Sequence, residues 1–260
     1  MELDDAYANG PYIPGAEGYP PRWAAAAEAF REALGERAQI GLSYGSAERA
    51  KLNLFLPEQT PKGLFVFVHG GYWRAFDASS WSHLAAGAMR HGWAVAMPSY
   101  TLCPEARISE ITRQVAKAIE FAAGKIAGPI SLAGHSAGGH LVSRMLAPDQ
   151  LESSVAARLS HVVPISPLSD LRPLLQTSMN DDFRMGDAEA EAESPVFQPK
   201  PDVPVSVWVG AKERPAFLDQ ARWLAETWEA GHVVVPGQHH FDVIDPLADP
   251  ESEMIKTLVG

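Results

Sequence analysis

The stretch PISLAGHSAGGHLVSRML, residues 129–146, decides how this chain is read. Its first part, Pro129 to Ala133, is a short apolar run bounded by proline and glycine, the pattern of a strand buried on both faces. Its last part, AGGHLVSRML, has the length and spacing of an amphipathic helix. Between them stands Gly134-His135-Ser136-Ala137-Gly138, with Gly139 behind it. A serine in so sharp a strand-to-helix turn is held with its hydroxyl clear of the sheet, and side chains at 134 and 138 would collide with that geometry. The turn also leaves the Ala137 N–H free at a helix N-terminus, where it can stabilise a developing oxyanion. Ser136 is therefore the candidate nucleophile; the alternative is a surface serine in a glycine-rich loop.

Outward from this turn the same rhythm repeats. GLFVFV (63–68), WAVAMP (93–98), VVPIS (162–166), PVSVWVG (204–210) and HVVVPG (232–237) are short apolar runs, and helix-length stretches separate most of them. In one of these stretches Ile108, Ile111, Val115, Ile119 and Ala122 recur at three- to four-residue spacing, one apolar face turned toward a sheet. Such alternation predicts an α/β fold: a mostly parallel central sheet with right-handed crossovers and helices on both faces. Two further strands are expected near Ile40–Tyr44 and Lys51–Leu56, and an Ala-rich helix after Pro21-Arg22-Trp23. One domain is expected over 1–260, with an extended, Pro- and Gly-rich arm over about 1–20. Residues 168–203 show no clear period and read as a lid-like insertion or, alternatively, a solvated surface excursion.

Two loops complete the chemistry. GLFVFV runs into His69-Gly70-Gly71-Tyr72-Trp73, where paired glycines at a strand end let backbone N–H groups turn toward the space above Ser136. Gly71 and Tyr72 are the expected oxyanion donors with Ala137, and His69 is expected to orient the loop. Past the last strand, Gln238-His239-His240-Phe241-Asp242 offers two candidate general bases, since a histidine there can reach the serine. After PVSVWVG, Glu213 stands just ahead of a helix and can orient the imidazole; the alternative is a carboxylate that caps that helix. Asp219 lies inside the helix, and Asp242 and Asp245 come after the histidines. The remaining histidines at 83, 91, 140, 161 and 232 read as packing or surface residues.

Composition narrows the partners. The 260 residues are 46% hydrophobic and 20% charged, enough to bury a core, which excludes disorder and fibrous repeats. With 21 Lys+Arg against 32 Asp+Glu, the net charge of −11 argues against nucleic acid and anionic membrane surfaces. Cys103 is the one cysteine, so neither an internal disulfide nor a thiolate zinc site can form. The acidic start MELDDAYANG is not expected to be a signal peptide, and no apolar run reaches the ~18–20 residues of a membrane span. A small-molecule substrate, a cytoplasmic location and no cofactor or metal are expected; the sequence leaves open whether the chain forms a homodimer.

Together HGGYW, GHSAGGH and HHFD resemble the kynurenine formamidase (arylformamidase) group of α/β-hydrolases, whose oxyanion motif is HGG-x-W. Ser99–Pro104 resembles that family's tyrosine–proline segment, Ser166–Asn180 with Ser194-Pro195 its lid region, and VGAKERPAFLDQ its acid loop, where the family usually carries Asp instead of Glu213. The resemblance covers roughly residues 50–245. It implies an α/β-hydrolase fold and hydrolysis of N-formyl-L-kynurenine to L-kynurenine and formate, with short-chain ester cleavage as the competing activity and a non-catalytic binding module as the remote one. Because the family's histidine is followed directly by Phe, it selects His240 over His239. An arylamine leaving group calls for an aromatic wall, for which Tyr72, Trp73 and Trp81 are the candidates, core packing being the alternative for each.

Overall fold

In the computed structural model, which describes every residue except Glu2 and Asp149, the alternating apolar runs become one eight-stranded sheet. The strands are β1 (Ala38–Ser43), β2 (Lys51–Phe55), β3 (Leu64–Val68), β4 (Ala94–Pro98), β5 (Ile130–His135), β6 (Leu159–Ile165), β7 (Ser206–Gly210) and β8 (Gly231–Val235). Their order is β1-β2-β4-β3-β5-β6-β7-β8. From β4 through β8 neighbouring strands pair in parallel, and β2 runs antiparallel to both β1 and β4.

The strands read as continuous apolar runs because both sheet faces are covered. Along β3, Leu64, Val66 and Val68 enter one core cluster while Phe65 and Phe67 enter another. β4 divides in the same way, Ala94 and Ala96 against Val95 and Met97. One face is covered by α3 (Ile108–Ala123) and α4 (Ala137–Arg144); the other meets α1 (Tyr19–Leu34), α2 (Ala86–Arg90) and α9 (Glu253–Val259). The α3 stripe expected from its spacing is buried at Ile108, Ile111, Val115, Ile119 and Ala122. At ~1.5–3 kcal/mol for each fully buried isoleucine or valine, this stripe outweighs the helix's intrinsic propensity, and one charge at Ile119 would be enough to undock it. The Glu110 carboxylate accepts the Arg107 N–H at 2.8 Å and closes the helix start.

Short helices fill the rest: α5 (Ser153–Ala156), α6 (Asn180–Phe183), α7 (Asp187–Ala192) and the longer α8 (Pro215–Trp228). Residues 168–203 are not a solvated excursion, because Leu168, Leu171, Leu174, Phe183 and Ala190 are fully buried in the core on the α3–α4 face. The N-terminal arm departs from its expected extended form. It winds through 3-10 turns at Gly10–Tyr12 and Ala16–Gly18 before α1 begins. Among the described residues no helix is long and apolar enough to cross a membrane.

Candidate active site

The loops that leave β3, β5, β6, β7 and β8 all emerge from the C-terminal edge of the sheet. The chain reverses its direction of winding between β3 and β5, so a crevice opens there between loops diverging to either side. Ser136 sits in it, directly after β5, with φ 57° and ψ −117°. No room is left for side chains around that turn: a Cβ on Gly134 would stand 2.1 Å from the Gly138 carbonyl oxygen, and one on Gly138 would stand 2.0 Å from that of Val68. The second contact locks the serine turn against the end of β3, from which the 69–73 loop departs. That loop is itself strained. Gly71 takes φ 105°, and Tyr72 and Trp73 take φ 51° and 54°, values that bulky residues avoid. Of seven non-glycine residues with positive φ among the described residues, five (Tyr72, Trp73, Phe76, Ser136 and Ser166) cluster around this crevice, and such strain persists only where the surroundings enforce it. The distorted backbone leaves the N–H groups of Gly71, Tyr72 and Ala137 without an acceptor among the described residues.

Glu213 and His240 meet across two loops. The loops are pinned together by backbone bonds, Lys212 N–H to the Gln238 carbonyl at 2.8 Å and Ala211 N–H to that of Val235 at 2.9 Å. His240 Nδ1 lies 2.6 Å from Glu213 Oε2, with the Glu213 side chain fully buried. A carboxylate only accepts, so Nδ1 carries the proton and Nε2 is left as a base. Glu213 Oε1 accepts the Gly210 N–H at 2.8 Å and the Ser166 hydroxyl at 2.5 Å. Glu213 is thus saturated by side-chain and backbone donors rather than capping α8. His239 faces elsewhere: its Nε2 meets the Tyr19 hydroxyl at 2.9 Å, its Nδ1 accepts the Phe241 N–H at 3.2 Å, and its backbone N–H donates to Asp242 Oδ1 at 2.6 Å. Asp242 is therefore His239's partner and not His240's.

Ser136, His240, Gly71, Tyr72 and Trp81 line one cavity of about 410 Å³. Trp73 does not line it. It is fully buried and packs edge-on against His140 and Phe183, so of the three aromatic candidates this one belongs to the core. His69 lies behind its loop, stacked on Tyr100 with ring centroids 4.4 Å apart, and burial lowers its pKa to about 4.

Several residues of this site carry no signal in the sequence that marks them as functional. Ser166 stands out there only as part of a family-like segment, yet its backbone (φ 47°) aims its hydroxyl at Glu213. His135 lines the cavity with its ring centroid 4.5 Å from that of His240, and burial holds its pKa well below the usual range. The arm supplies Asp4, Tyr7, Ala8, Asn9 and Gly10 to the wall. It is tied down by the Tyr72 hydroxyl donating to the Tyr7 carbonyl at 2.6 Å and by Gln220 Nε2 donating to the Tyr7 hydroxyl at 2.9 Å. The 168–203 segment adds Ser178 and Met179. Among the described residues no group of three His, Cys, Asp or Glu side chains could hold a metal ion.

This arrangement can run acyl transfer: a serine, a base with an oriented free nitrogen, a buried carboxylate and three unpaired backbone donors around one apolar cavity. Known proteins point the same way. A family model described as alpha/beta hydrolase fold matches residues 65–242. The kynurenine formamidase of Danio rerio is 28% identical over 237 residues, covering 85% of this chain and 80% of that protein. That of Drosophila melanogaster is 28% identical over 238 residues, covering 84% and 79%. A crystal structure from Silicibacter sp. TM1040, described as that of "a putative thioesterase", is 65% identical with a TM-score of 0.99 and full coverage of both chains. Esterase B of Lactobacillus rhamnosis, 18% identical with a TM-score of 0.67 over 91% of this chain and 88% of that one, shares the fold. The chain belongs to the alpha/beta hydrolase family and is an arylformamidase-like hydrolase within it.

Proposed function

We propose that this hydrolase removes a formyl group from an aromatic amine through Ser136, His240 and Glu213. The relatives' names make N-formyl-L-kynurenine, cleaved to L-kynurenine and formate, the first candidate in that class. In this reading the Ser136 oxygen attacks the formyl carbon as His240 Nε2 takes its proton. Negative charge passes to the carbonyl oxygen, which accepts from the N–H groups of Gly71, Tyr72 and Ala137. Glu213 holds the imidazole in its Nδ1–H form and stabilises the imidazolium. His240 then gives its proton to the departing amine nitrogen as the C–N bond breaks. Water, deprotonated by the same nitrogen, releases formate and regenerates Ser136. The observation that carries the reading is the 2.6 Å contact of His240 with a fully buried carboxylate, beside a serine that shares its cavity.

The test is an anilide series with the aryl group constant and the acyl chain lengthened. Tyr72 comes after the paired glycines where a small residue would leave more room, and each methylene forced against such a wall costs on the order of 1–3 kcal/mol. The kcat/KM is expected to fall ~10-fold or more from formanilide to acetanilide, and again to butyranilide. A flat or rising profile, or faster turnover of p-nitrophenyl acetate or an acetyl thioester than of formanilide, would replace formamide with ester or thioester chemistry.

A further inference from the structure

An amide differs from an ester at the atom that leaves. The ester oxygen carries no hydrogen, whereas the nitrogen of an aryl formamide keeps its N–H through the whole reaction. When Ser136 Oγ adds to the formyl carbon, conjugation with the nitrogen ends and the nitrogen becomes tetrahedral. Its lone pair must then turn toward His240 Nε2 to take the proton, and this swings the N–H against the cavity wall. Without an acceptor in a dry, apolar site that N–H would slow the reaction on the order of 10–100-fold. An ester escapes this cost.

Among the described residues, four buried polar atoms on the cavity's lining side chains have no partner: Asn9 Oδ1, the indole nitrogens of Trp23 and Trp81, and His135 Nε2. The indoles only donate. Asn9 belongs to the arm, while His135 immediately precedes the nucleophile. Two partners that each stand ~3 Å from a tetrahedral nitrogen lie about 5 Å from one another. The ring centroids of His135 and His240 are 4.5 Å apart. The His135 ring is also fixed in place: it is 5% exposed, and a Cβ on Gly70 of the oxyanion loop would stand 3.3 Å from its Nδ1. Burial first, and then the neighbouring His240, hold its pKa well below the usual imidazole range. His135 therefore stays neutral while His240 takes up the serine proton, and a neutral imidazole always has one nitrogen free to accept.

We infer that His135 Nε2, with the ring proton on Nδ1, accepts the N–H of the scissile amide and thereby favours amide over ester cleavage at Ser136. The inference rests on the formamide reading of the site and adds to it a further side chain that touches the reacting atoms.

Formanilide and phenyl formate test it, because they share the acyl group and the ring and differ only in NH against O. Damage to the fold, to Ser136 or to His240 lowers both rates together, whereas loss of an N–H acceptor lowers only the first. In His135→Leu the ratio of kcat/KM for formanilide to that for phenyl formate is expected to fall ~10–100-fold, mostly through kcat on the amide. His135→Gln, whose amide oxygen can reach the place of Nε2, is expected to recover most of the ratio. An unchanged ratio in His135→Leu, a ratio no better in His135→Gln than in His135→Leu, or the drop appearing in Asn9→Leu instead, would overturn the inference. The parent chain reports separately on the underlying reading: phenyl formate cleaved while formanilide is not would end the formamide assignment, and the inference with it.

Discussion

Replacing Glu213 by glutamine changes one atom, and the bonding pattern around the side chain dictates how the site responds. The side chain is fully buried, so solvent does not screen its charge. Oε1 accepts from the Gly210 N–H at 2.8 Å and the Ser166 hydroxyl at 2.5 Å, and Oε2 accepts from His240 Nδ1 at 2.6 Å. Glutamine retains a single acceptor oxygen. The Gly210 N–H is fixed by the backbone, and an amide NH₂ turned toward it would oppose donor to donor, so the amide oxygen takes the Oε1 place. The NH₂ then faces His240 Nδ1 and donates to it. That drives the imidazole proton to Nε2, the nitrogen proposed to receive the Ser136 proton. Loss of the correct tautomer together with the charge is expected to lower kcat by ~10³–10⁴-fold, equivalent to about 4–5.5 kcal/mol of transition-state stabilisation. The volume hardly changes, so circular dichroism and the urea midpoint should move little. The assay is kcat on formanilide with purified protein. Activity within ~10-fold of the parent, or greater damage from Asp242→Asn than from Glu213→Gln, would refute the assignment of the acid.

The same geometry sets three further outcomes. Ser166→Ala removes a hydroxyl bond to a buried carboxylate, of a kind worth ~1.5–3 kcal/mol; kcat should fall about 10-fold with KM unchanged, and an unchanged kcat would leave Ser166 a packing residue only. His240→Ala should approach the loss caused by removing the nucleophile while His239→Ala costs far less, because the His239 ring is occupied by the Tyr19 hydroxyl and the Phe241 N–H; the reverse ranking in kcat would make His239 the base. His69 and His140 are buried with pKa values lowered to about 4 by desolvation, so they stay neutral in the fold after the unfolded chain has begun to protonate near pH 6.5. Their contribution is complete above about pH 6.5 and is lost as pH falls toward 4, by about 2 kcal/mol each at pH 5; equal urea midpoints at pH 7 and pH 5 would contradict this.

What the sequence made legible was what depends on local pattern. Strands buried on both faces announce themselves as apolar runs, and the serine turn announces itself because only glycine tolerates backbone oxygens about 2 Å from a Cβ position. Glu213 could be singled out as a partner for a histidine because it follows the strand before the histidine loop, and the structure sets its carboxylate 2.6 Å from His240 Nδ1. The rest was set by contacts between distant segments. The difference between His239 and His240 lies in which ring Glu213 reaches, and local pattern is the same for both. Trp73 turns into the core because its backbone takes φ 54°, a value that carries no mark in its residue type. The arm's place in the cavity wall rests on bonds such as Asp4 to Ser178 and Tyr7 to Gln220, across 174 and 213 positions, in a segment without periodicity. Ser166 carries a common residue type, and only the meeting of β6 with the acid loop gives its hydroxyl a task.

The role of Ser136 as nucleophile toward a formamide is tested most directly by a single comparison of kcat on formanilide between the parent chain and Ser136→Ala, with formate and aniline both quantified. The expected result is equimolar release of the two products by the parent and a loss of ~10⁴-fold or more in the variant, with circular dichroism unchanged, because nucleophile, base and acid act as a unit. Formanilide turnover in Ser136→Ala within ~10-fold of the parent, or none by the parent under conditions where it cleaves p-nitrophenyl acetate, would contradict it.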